Sequence, residues 1–274
     1  LKNNGFEGVV PYSTTLDGSI CIPNDKYVYY VVDWIESREC RFKKENELKM
    51  AIKAAADLHK ASVGYTPPKG AKPRVYYNRW VEKFKKKCEE LQGFKKEIEA
   101  KEYKTDFDEI FYQNIPYYEN QAKESIAMIE EGPYREISSE SERKGEFCHH
   151  DMANHNFLID AKDNVYLIDF DYCIMDTRLH DVSSLVIRNM RYGIWDTHKA
   201  YFILNEYDRN YSINEKELQV MKAFITFPQD FWQVGLQYYT EKQPWTMEYF
   251  LMRLNRIVDD RQIRDKFLNE FRQM

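Results

Sequence analysis

Two short apolar stretches, at positions 156–159 and 165–168, constrain the fold most, because both are too short for helices. They read Asn-Phe-Leu-Ile and Val-Tyr-Leu-Ile, and the segment between them contains Ala-Lys-Asp-Asn. Apolar runs of this length bounded by turn residues are typical of strands. The sequence therefore predicts a β-hairpin. The residue that opens its first strand and the residue that follows its second strand lie at the same end of the hairpin.

The chain around this hairpin is predicted to be mostly helical after a β-rich start. Residues 9–16 and 26–35 are rich in Val, Ile, Tyr and Thr and are separated by turn residues, which predicts antiparallel strands, with room for a third at 19–22. Apolar spacing predicts helices at 45–62, 76–99, 106–130, 182–194, 196–208, 214–226, 228–240 and 246–272. Pro116 is expected to kink or split the third of these helices. The predicted class is α+β, with a small β-rich lobe and a large helical lobe.

Composition excludes several classes of protein. The 274 residues carry a net charge of −5, which gives no indication of a nucleic-acid partner. No apolar run of about 18 residues occurs, so no membrane span is expected. Five scattered cysteines without a Cys-x-x-Cys pair favour a reduced, cytoplasmic protein. The Lys and Glu runs at 83–90 and 94–104 are interpreted as solvated helix faces, with a basic binding patch as the alternative.

A cluster of polar residues precedes and follows the predicted hairpin. Residues 148–156 read Cys-His-His-Asp-Met-Ala-Asn-His-Asn, and Asp169 and Asp171 follow the second strand. A zinc site on a helix usually has two histidines four residues apart. The histidines here stand at 149, 150 and 155, with no Cys or His partner at the usual distance downstream, so zinc is the weaker interpretation.

A phosphoryl-transfer site fits the cluster better. Such a site needs an aspartate that accepts or orients the proton of a substrate hydroxyl, and oxygen ligands for Mg²⁺ beside the nucleotide phosphates. In the protein-kinase pattern these are a loop Asp, an Asn soon after it and an Asp at the end of the following hairpin. Asp151, Asn156 and Asp169 have this order and spacing. We therefore predict that Asp151 is the catalytic base and that Asn156 and Asp169 bind magnesium.

Other roles remain open for several of these residues. His149 belongs to the predicted catalytic loop, where we favour a hydrogen bond to the loop backbone. Asp151 and Asn156 are also common turn-capping residues. Asp171 is either a second metal ligand or an Asx-turn residue. Asp181 is expected to open a helix and to brace the catalytic loop. The remaining polar residues of the cluster are expected to be exposed or to touch substrate: His150, Asn154 and His155.

The chain resembles the aminoglycoside phosphotransferase and choline kinase branch of the protein-kinase-like superfamily. His-His-Asp-Met-Ala-Asn-His-Asn stands where that branch has His-Gly-Asp-x₄-Asn, and Leu-Ile-Asp-Phe-Asp stands where it has an Ile-Asp segment. Residues 29–40 resemble its interlobe hinge, and 54–62 resemble its first large-lobe helix. Within the branch the chain is most similar to the bacterial spore coat CotS family, because it shares Ser-Arg-Glu-Cys, Leu-His-Lys-Ala-Ser and a late aromatic segment.

The resemblance implies where the two lobes lie in the sequence and which residues would bind ATP and Mg²⁺. Residues 1–35 would be the remnant of the small lobe and the hinge, and 36–274 the helical lobe, with the catalytic loop and metal-binding hairpin at 148–171. ATP would place its adenine against the hinge backbone, at Val32, Asp33, Trp34 and Ile35. Asp151 would be the base, and Asn156 and Asp169 would hold Mg²⁺ on the ATP phosphates.

The chain departs from the family pattern in two ways. His150 replaces a frequent glycine, which would narrow the acceptor side of the site. Before Val32 there is neither a glycine-rich phosphate loop nor a strand lysine. The opening Leu-Lys-Asn-Asn-Gly-Phe is typical of a helix end with Gly5 at its C-cap. We therefore expect the natural chain to begin upstream, and the sequence as given to bind ATP poorly.

The leading functional hypothesis is an ATP- and Mg-dependent phosphotransferase acting on a small-molecule hydroxyl. The net negative charge weakly favours a cationic acceptor. Two rivals are a non-catalytic spore coat scaffold and a kinase that phosphorylates coat proteins. The second rival has less support, because only twelve residues separate Asp169 from Asp181. The expected partners are the acceptor and other spore coat proteins, and the expected location is the cytoplasm or the spore coat.

Overall fold

The computed structural model describes residues Leu1–Met274. The strands are β1 (Ile22–Pro23), β2 (Val28–Tyr29), β3 (Ser37–Glu39), β4 (Phe157–Asp160) and β5 (Val165–Leu167). The helices are α1 (Glu45–Ser62), α2 (Trp80–Glu99), α3 (Asp106–Glu131), α4 (Tyr134–Lys144), α5 (Leu179–Met190), α6 (Thr197–Asn210), α7 (Glu215–Thr226), α8 (Gln229–Gly235), α9 (Met247–Asp259) and α10 (Arg261–Arg272). The π-helical turn Leu236–Thr240 continues α8. The predicted α+β class, with little sheet and much helix, is confirmed.

The predicted hairpin is confirmed as the centre of a three-stranded antiparallel sheet. β4 pairs with β5, with Phe157 opposite Leu167, and β3 pairs with the other edge of β4. In the turn, Asp160 Oδ1 accepts backbone N–H bonds from Lys162 at 2.8 Å and from Asn164 at 2.9 Å. This Asx turn fixes the register at the closed end of the hairpin, where the chain turns. The register in turn determines which residues lie opposite each other at the open end, where β4 begins and β5 ends.

The helices enclose two apolar clusters. The larger lies among α1, α5, α6, α7 and α10 and extends under the hairpin, where Phe157 and Leu167 are buried. The smaller forms where α2 and α3 meet α8 and α9. In the smaller cluster the Phe231 ring stacks on Phe111, with 4.3 Å between ring centroids, and on Tyr118, with 4.0 Å. The helical half of the chain is therefore built on large buried rings.

The β-rich start is less regular than predicted. β1 and β2 form a hairpin of two residue pairs, and one further antiparallel bridge joins Tyr12 to Val32. The strands are short because no side chain between residues 9 and 35 is buried, so no packed face extends the pairing. Gly5 has a left-handed backbone (φ 84°) after a short 3₁₀ turn, as its C-cap interpretation requires. The proposed division at residue 35 stays a prediction.

Several helix predictions need correction. α3 is one helix through Pro116, so the predicted split does not occur, while the predicted kink stays a prediction; Pro116 lies on the exposed face, where water can satisfy the carbonyl that proline leaves unpaired. The last predicted helix is two helices that meet at Asp260, whose carboxylate accepts a bond from the Tyr192 N–H. The sequence analysis missed α4, although Pro133 precedes it and Gly145 ends it. None of the helices combines the length and apolar character needed to cross a membrane.

We expect Phe231→Ala to lower the free energy of unfolding by about 3–5 kcal/mol, because it empties a fully buried ring site between two stacked aromatics. Urea unfolding followed by circular dichroism measures this change. Tyr103→Ala is the matched control, because that ring is 82% exposed, and it should change stability by less than about 0.5 kcal/mol. Equal effects of the two substitutions would contradict the packing described here.

Candidate active site

The Asp181 carboxylate braces the catalytic loop, as the sequence predicts. It stands in the first turn of α5 and is fully buried. Its two oxygens accept the backbone N–H groups of His149, at 2.7 Å, and of His150, at 2.8 Å. One of these oxygens also lies 3.1 Å from His59 Nε2 on α1, and His59 Nδ1 lies 2.8 Å from the Tyr207 hydroxyl on α6. One carboxylate thus connects the loop to three helices.

The Asp181 carboxylate stays ionised although it is buried. Burial alone raises the pKa of a carboxyl group, but the His180 and His59 rings and the other groups that face Asp181 outweigh burial. The pKa of Asp181 therefore lies well below its usual range. The carboxylate stays ionised, and both backbone N–H groups keep a charged acceptor.

His149 links the loop to the far end of the hairpin. Its Nδ1 atom accepts the backbone N–H of Asp151 at 3.3 Å, so Nε2 carries the proton and donates to the Ile168 carbonyl at 2.8 Å. The Phe170 ring packs against the imidazole, with 4.8 Å between centroids. Both ring nitrogens are engaged, which matches the structural role that the sequence analysis favoured for His149.

Asp151 and Asn156 are in direct contact. The Asn156 Nδ2 atom donates to Asp151 Oδ2 and to the Asp151 carbonyl, both at 3.0 Å. Both partners are acceptors, so the amide NH₂ group must face Asp151, and Asn156 Oδ1 is left without a protein donor. The other oxygen of Asp151, Oδ1, accepts Arg188 Nη2 at 2.5 Å. The carboxylate is therefore held from two sides, while a quarter of its side-chain surface stays exposed.

Asn156 and Asp169 lie at the open end of the hairpin. The Ile168 N–H donates to the Asn156 carbonyl at 3.1 Å, and Asp169 is the next residue. Asp169 has a left-handed backbone (φ 64°, ψ 58°), which is uncommon outside glycine and is enriched at functional sites. Its carboxylate is exposed and makes no hydrogen bond or ion pair with the protein. Asn156 Oδ1 and the Asp169 carboxylate thus both lack protein donors at the open end of the hairpin, and Asn156 contacts Asp151.

The other predicted site residues lie outside this hydrogen-bonded group. Asp171 is exposed in a 3₁₀ turn, where its carbonyl accepts a bond from Arg74. The hinge residues are Val32, Asp33, Trp34 and Ile35. Val32 is bridged to Tyr12, the Trp34 backbone makes no backbone–backbone hydrogen bond, and Trp34 is 88% exposed. The structure describes no group of three or more His, Cys, Asp or Glu side chains placed to hold a metal ion.

The remaining polar residues of the cluster differ in their exposure to solvent. Asn154 and His155 are exposed, as expected. His150 is half-buried, has a left-handed backbone (φ 71°), and its ring lies 4.6 Å from the ring of His180. Burial lowers the pKa of His150 to about 3, so this imidazole is neutral. A glycine would adopt this backbone without strain, which is consistent with the glycine that the family pattern has at this position.

The sequence analysis missed two residues of the site. Arg188 stands two helical turns after Asp181 and therefore on the same face of α5, and this spacing was the available signal. Asp176 is buried behind the loop, where it accepts Trp80 Nε1 at 2.7 Å and the Thr177 N–H at 2.8 Å. Burial raises the pKa of Asp176 to about 7, although His180 and these hydrogen bonds oppose the shift.

The interpretation of the Lys and Glu run at 83–90 as a solvated helix face is correct for Lys85 and Lys86, which are exposed, but not for Lys83 and Lys87, which are partly buried. Lys83, Lys86 and Lys87 line a cleft of about 610 Å³ that adjoins Arg188. Lys85 lies outside this cleft, and its Nζ atom pairs with Glu130 at 2.6 Å. The sequence could not separate these two faces, because α8 and the turn after it form the other side of the cleft.

Comparison with known proteins identifies the family of this chain. The family model described as "Spore coat putative kinase YutH" matches residues 1–271. The chain belongs to this family. Its relatives include Spore coat protein S of Bacillus subtilis (strain 168), which is 24% identical over 272 residues, covering 98% of this chain and 77% of the relative. The predicted resemblance to spore coat proteins is confirmed.

Solved structures place this YutH-family chain in the kinase-like fold. The aminoglycoside phosphotransferase of Alicyclobacillus acidocaldarius subsp. acidocaldarius DSM 446 has a TM-score of 0.83 and 22% identity, covering 99% of this chain and 79% of that one. Spectinomycin phosphotransferase APH(9)-Ia, solved with ADP and spectinomycin, has a TM-score of 0.67 and 15% identity, covering 100% and 80%. At these identities the likeness shows the fold, and the chemistry must be argued from the site.

We expect Asp181→Asn to destabilise the fold by about 3–5 kcal/mol, because an amide group has only one acceptor oxygen for two buried backbone donors. Urea unfolding at pH 7 measures the loss. Asp163→Asn, in the exposed turn of the hairpin, is the control and should cost less than about 0.5 kcal/mol. A small and equal effect of both substitutions would show that Asp181 does not brace the loop.

We also expect Asp176 to make stability depend on pH. The pKa of Asp176 is about 7 in the folded protein, which is above its value in the unfolded chain, so protonation of Asp176 stabilises the fold. This stabilisation is complete below about pH 4 and is lost as the pH rises toward 7. The unfolding free energy of the wild type minus that of Asp176→Asn should fall by at most about 1.4 kcal/mol per pH unit over this range. It should be constant above the folded pKa. A pH-independent difference would contradict the raised pKa.

Proposed function

We propose that this chain carries the catalytic site of an ATP- and Mg-dependent phosphotransferase that acts on a small-molecule hydroxyl. The observation that carries the proposal is the contact between Asp151 and Asn156, which leaves Asn156 Oδ1 without a protein donor at the end of the hairpin where Asp169 follows β5. A carboxylate able to receive a proton therefore contacts one oxygen-bearing group of the type that Mg²⁺ prefers, and the unpaired Asp169 supplies a second at the same end of the hairpin. The hairpin fixes their spacing, because its register is set at the closed end.

The donor set fits a magnesium ion on a nucleotide. Asn156 Oδ1 and the Asp169 carboxylate would hold the ion, and Asp171 is close enough in sequence to be a further candidate. A bound Mg²⁺ supplies neutralisation of charge on the nucleotide phosphates. The adenine would bind along Val32–Ile35, where the backbone groups of Trp34 are free to pair with it.

The reaction is a direct transfer. The acceptor hydroxyl oxygen forms a bond to the γ-phosphorus of ATP, the bond from that phosphorus to the β–γ bridging oxygen breaks, and ADP leaves. The hydroxyl proton passes to Asp151, which Asn156 and Arg188 keep in one orientation. Because Arg188 occupies Asp151 Oδ1 before substrate binds, the incoming hydroxyl must displace it or share this oxygen.

The alternative is a non-catalytic role in the spore coat. A relative of this chain is named Spore coat protein S, and we extend the spore coat location to this chain as part of the proposal. A scaffold needs the fold but neither Asp151 nor nucleotide. A kinase of coat proteins is the further alternative, and a phosphorylated coat protein in the assay would identify it.

We expect Asp151→Asn to lower the rate of γ-phosphate transfer by about 10²–10⁴-fold while the affinity for MgATP changes less than about threefold. Asn156→Ala and Asp169→Asn should instead weaken the Mg-dependent part of nucleotide binding. Transfer from labelled ATP and titration calorimetry on the full-length protein measure these effects. Asp163→Asn, at the closed end of the same hairpin, is the control and should leave both values unchanged.

Two outcomes would contradict the proposal. If the full-length protein shows no Mg-dependent nucleotide binding, the scaffold alternative is correct. If Asp151→Asn transfers phosphate at the wild-type rate, the base has been assigned to the wrong residue.

A further inference from the structure

The cleft beside Arg188 leads toward Asp151, because Arg188 both lines the cleft and bonds to that carboxylate. It lies between α2 on one side and α5, α7 and α8 on the other, and its volume is about 610 Å³. His150, the residue before Asp151, lines it as well. A molecule in the cleft is therefore one side chain away from the predicted base.

The charge of this cleft is opposite to that of the whole chain. Its cationic side chains are Lys83, Lys86, Lys87, Arg188, Arg191 and Arg253. Its only carboxylates are Glu90 and Asp230, so six positive and two negative groups give a formal charge of +4 when histidines are counted as neutral. The chain as a whole carries −5. Clefts lined by one sign of charge concentrate ligands of the opposite sign.

Much of this positive charge has no carboxylate partner. Arg188 pairs with Asp151 and Arg191 with Asp230, but no salt bridge involves any of the three cleft lysines. Glu90 is also engaged, because it accepts Trp232 Nε1 at 2.7 Å. The protein thus leaves several cations in one concave surface without the anion that normally accompanies them.

The lysines are held in place by neutral groups. Lys87 Nζ donates to Gln229 Oε1 at 2.6 Å and lies 4.3 Å from the centroid of the Trp232 ring. Lys83 Nζ lies 3.4 Å from the centroid of the Tyr76 ring. Burial lowers the pKa of Lys87 to about 7, as expected for a desolvated cation without a counter-ion. An anion in the cleft would reverse this penalty.

The other surfaces of the cleft are aromatic. Trp80, Phe84 and Trp232 line it together with Tyr76. Flat aromatic faces beside cationic groups suit a molecule that has both an apolar ring or carbon chain and an acidic group. A cationic acceptor, which the net charge had weakly favoured, would meet like charges here.

We propose that the acceptor is an anionic hydroxyl compound, a sugar or polyol that carries a phosphate or carboxylate group. Its acidic group binds Lys83, Lys86 and Lys87, and one of its hydroxyls faces Asp151. This inference rests on the proposed phosphotransferase function and specifies its substrate class. Phosphate and carboxylate groups are both negatively charged, so the cleft could bind either, and the experiment below distinguishes the two groups.

The test compares four sugars that differ mainly in charge: glucose, glucosamine, glucuronate and glucose 6-phosphate. Each is titrated into the full-length protein by calorimetry without ATP, and each is then offered as acceptor with labelled MgATP. We expect glucuronate or glucose 6-phosphate to bind at least tenfold more tightly than glucose and glucosamine. The tighter of the two identifies the acidic group. If neither binds more tightly than glucose, or if glucosamine binds most tightly, the proposal is wrong.

Charge reversal provides the matched control. The double variant Lys83→Glu/Lys87→Glu should weaken binding of the tighter anionic sugar at least tenfold, and Lys86→Glu, a milder change at an exposed lysine of the cleft, at least threefold. Lys85 lies on the same helix but pairs with Glu130 outside the cleft, so Lys85→Glu should change the affinity less than twofold. Circular dichroism checks that each variant is folded. Equal effects at Lys85 and Lys86 would overturn the proposal.

Different results would contradict the anionic acceptor and the phosphotransferase activity. Phosphate transfer to glucosamine, with no preference for an anionic sugar, would keep the phosphotransferase and overturn the anionic acceptor. Tight binding of an anionic sugar, weakened by Lys86→Glu but without any transfer, would support the anionic site and overturn the phosphotransferase.

Discussion

The loop at 148–156, which the proposed function makes catalytic, depends on one buried carboxylate. Asp181 gives charged acceptors to two successive backbone N–H groups, and through His59 it also connects α1 and α6 to the loop. Because the loop cannot shift without losing these bonds, Asp151 stands at a fixed distance from the hairpin. The residues that would perform chemistry are therefore positioned by a group that does not touch substrate.

The hairpin provides the second constraint. Its register brings Asn156 beside Ile168, and His149 fastens the same end by donating to the Ile168 carbonyl. The loop and hairpin together form one rigid polar surface next to a basic cleft. In the proposed enzyme, nucleotide and metal would bind on the hairpin side of Asp151 and the acceptor on the cleft side. This arrangement separates recognition of the two substrates, so the acceptor class can differ among proteins that share the fold.

Residue order was enough to predict the hairpin, the loop and the Asp181 brace, because each depends on contacts between a few short, regularly spaced segments. It was not enough for Arg188, whose long side chain reaches Asp151 from another helix. Nor could it show that the lysines near residue 85 face two different environments, since α8 packs against α2 from a distant part of the chain. The sequence also could not show that α3 continues through Pro116, because the effect of a proline on a helix depends on which face is buried.

The most direct test of the central claim is a crystal structure of the full-length protein with ADP and Mn²⁺, in which anomalous scattering locates the metal. The account predicts one metal ion bonded to Asn156 Oδ1 and to an Asp169 carboxylate oxygen at about 2.0–2.2 Å, in contact with the nucleotide phosphates. A nucleotide bound elsewhere, or a metal that neither residue touches, would contradict it.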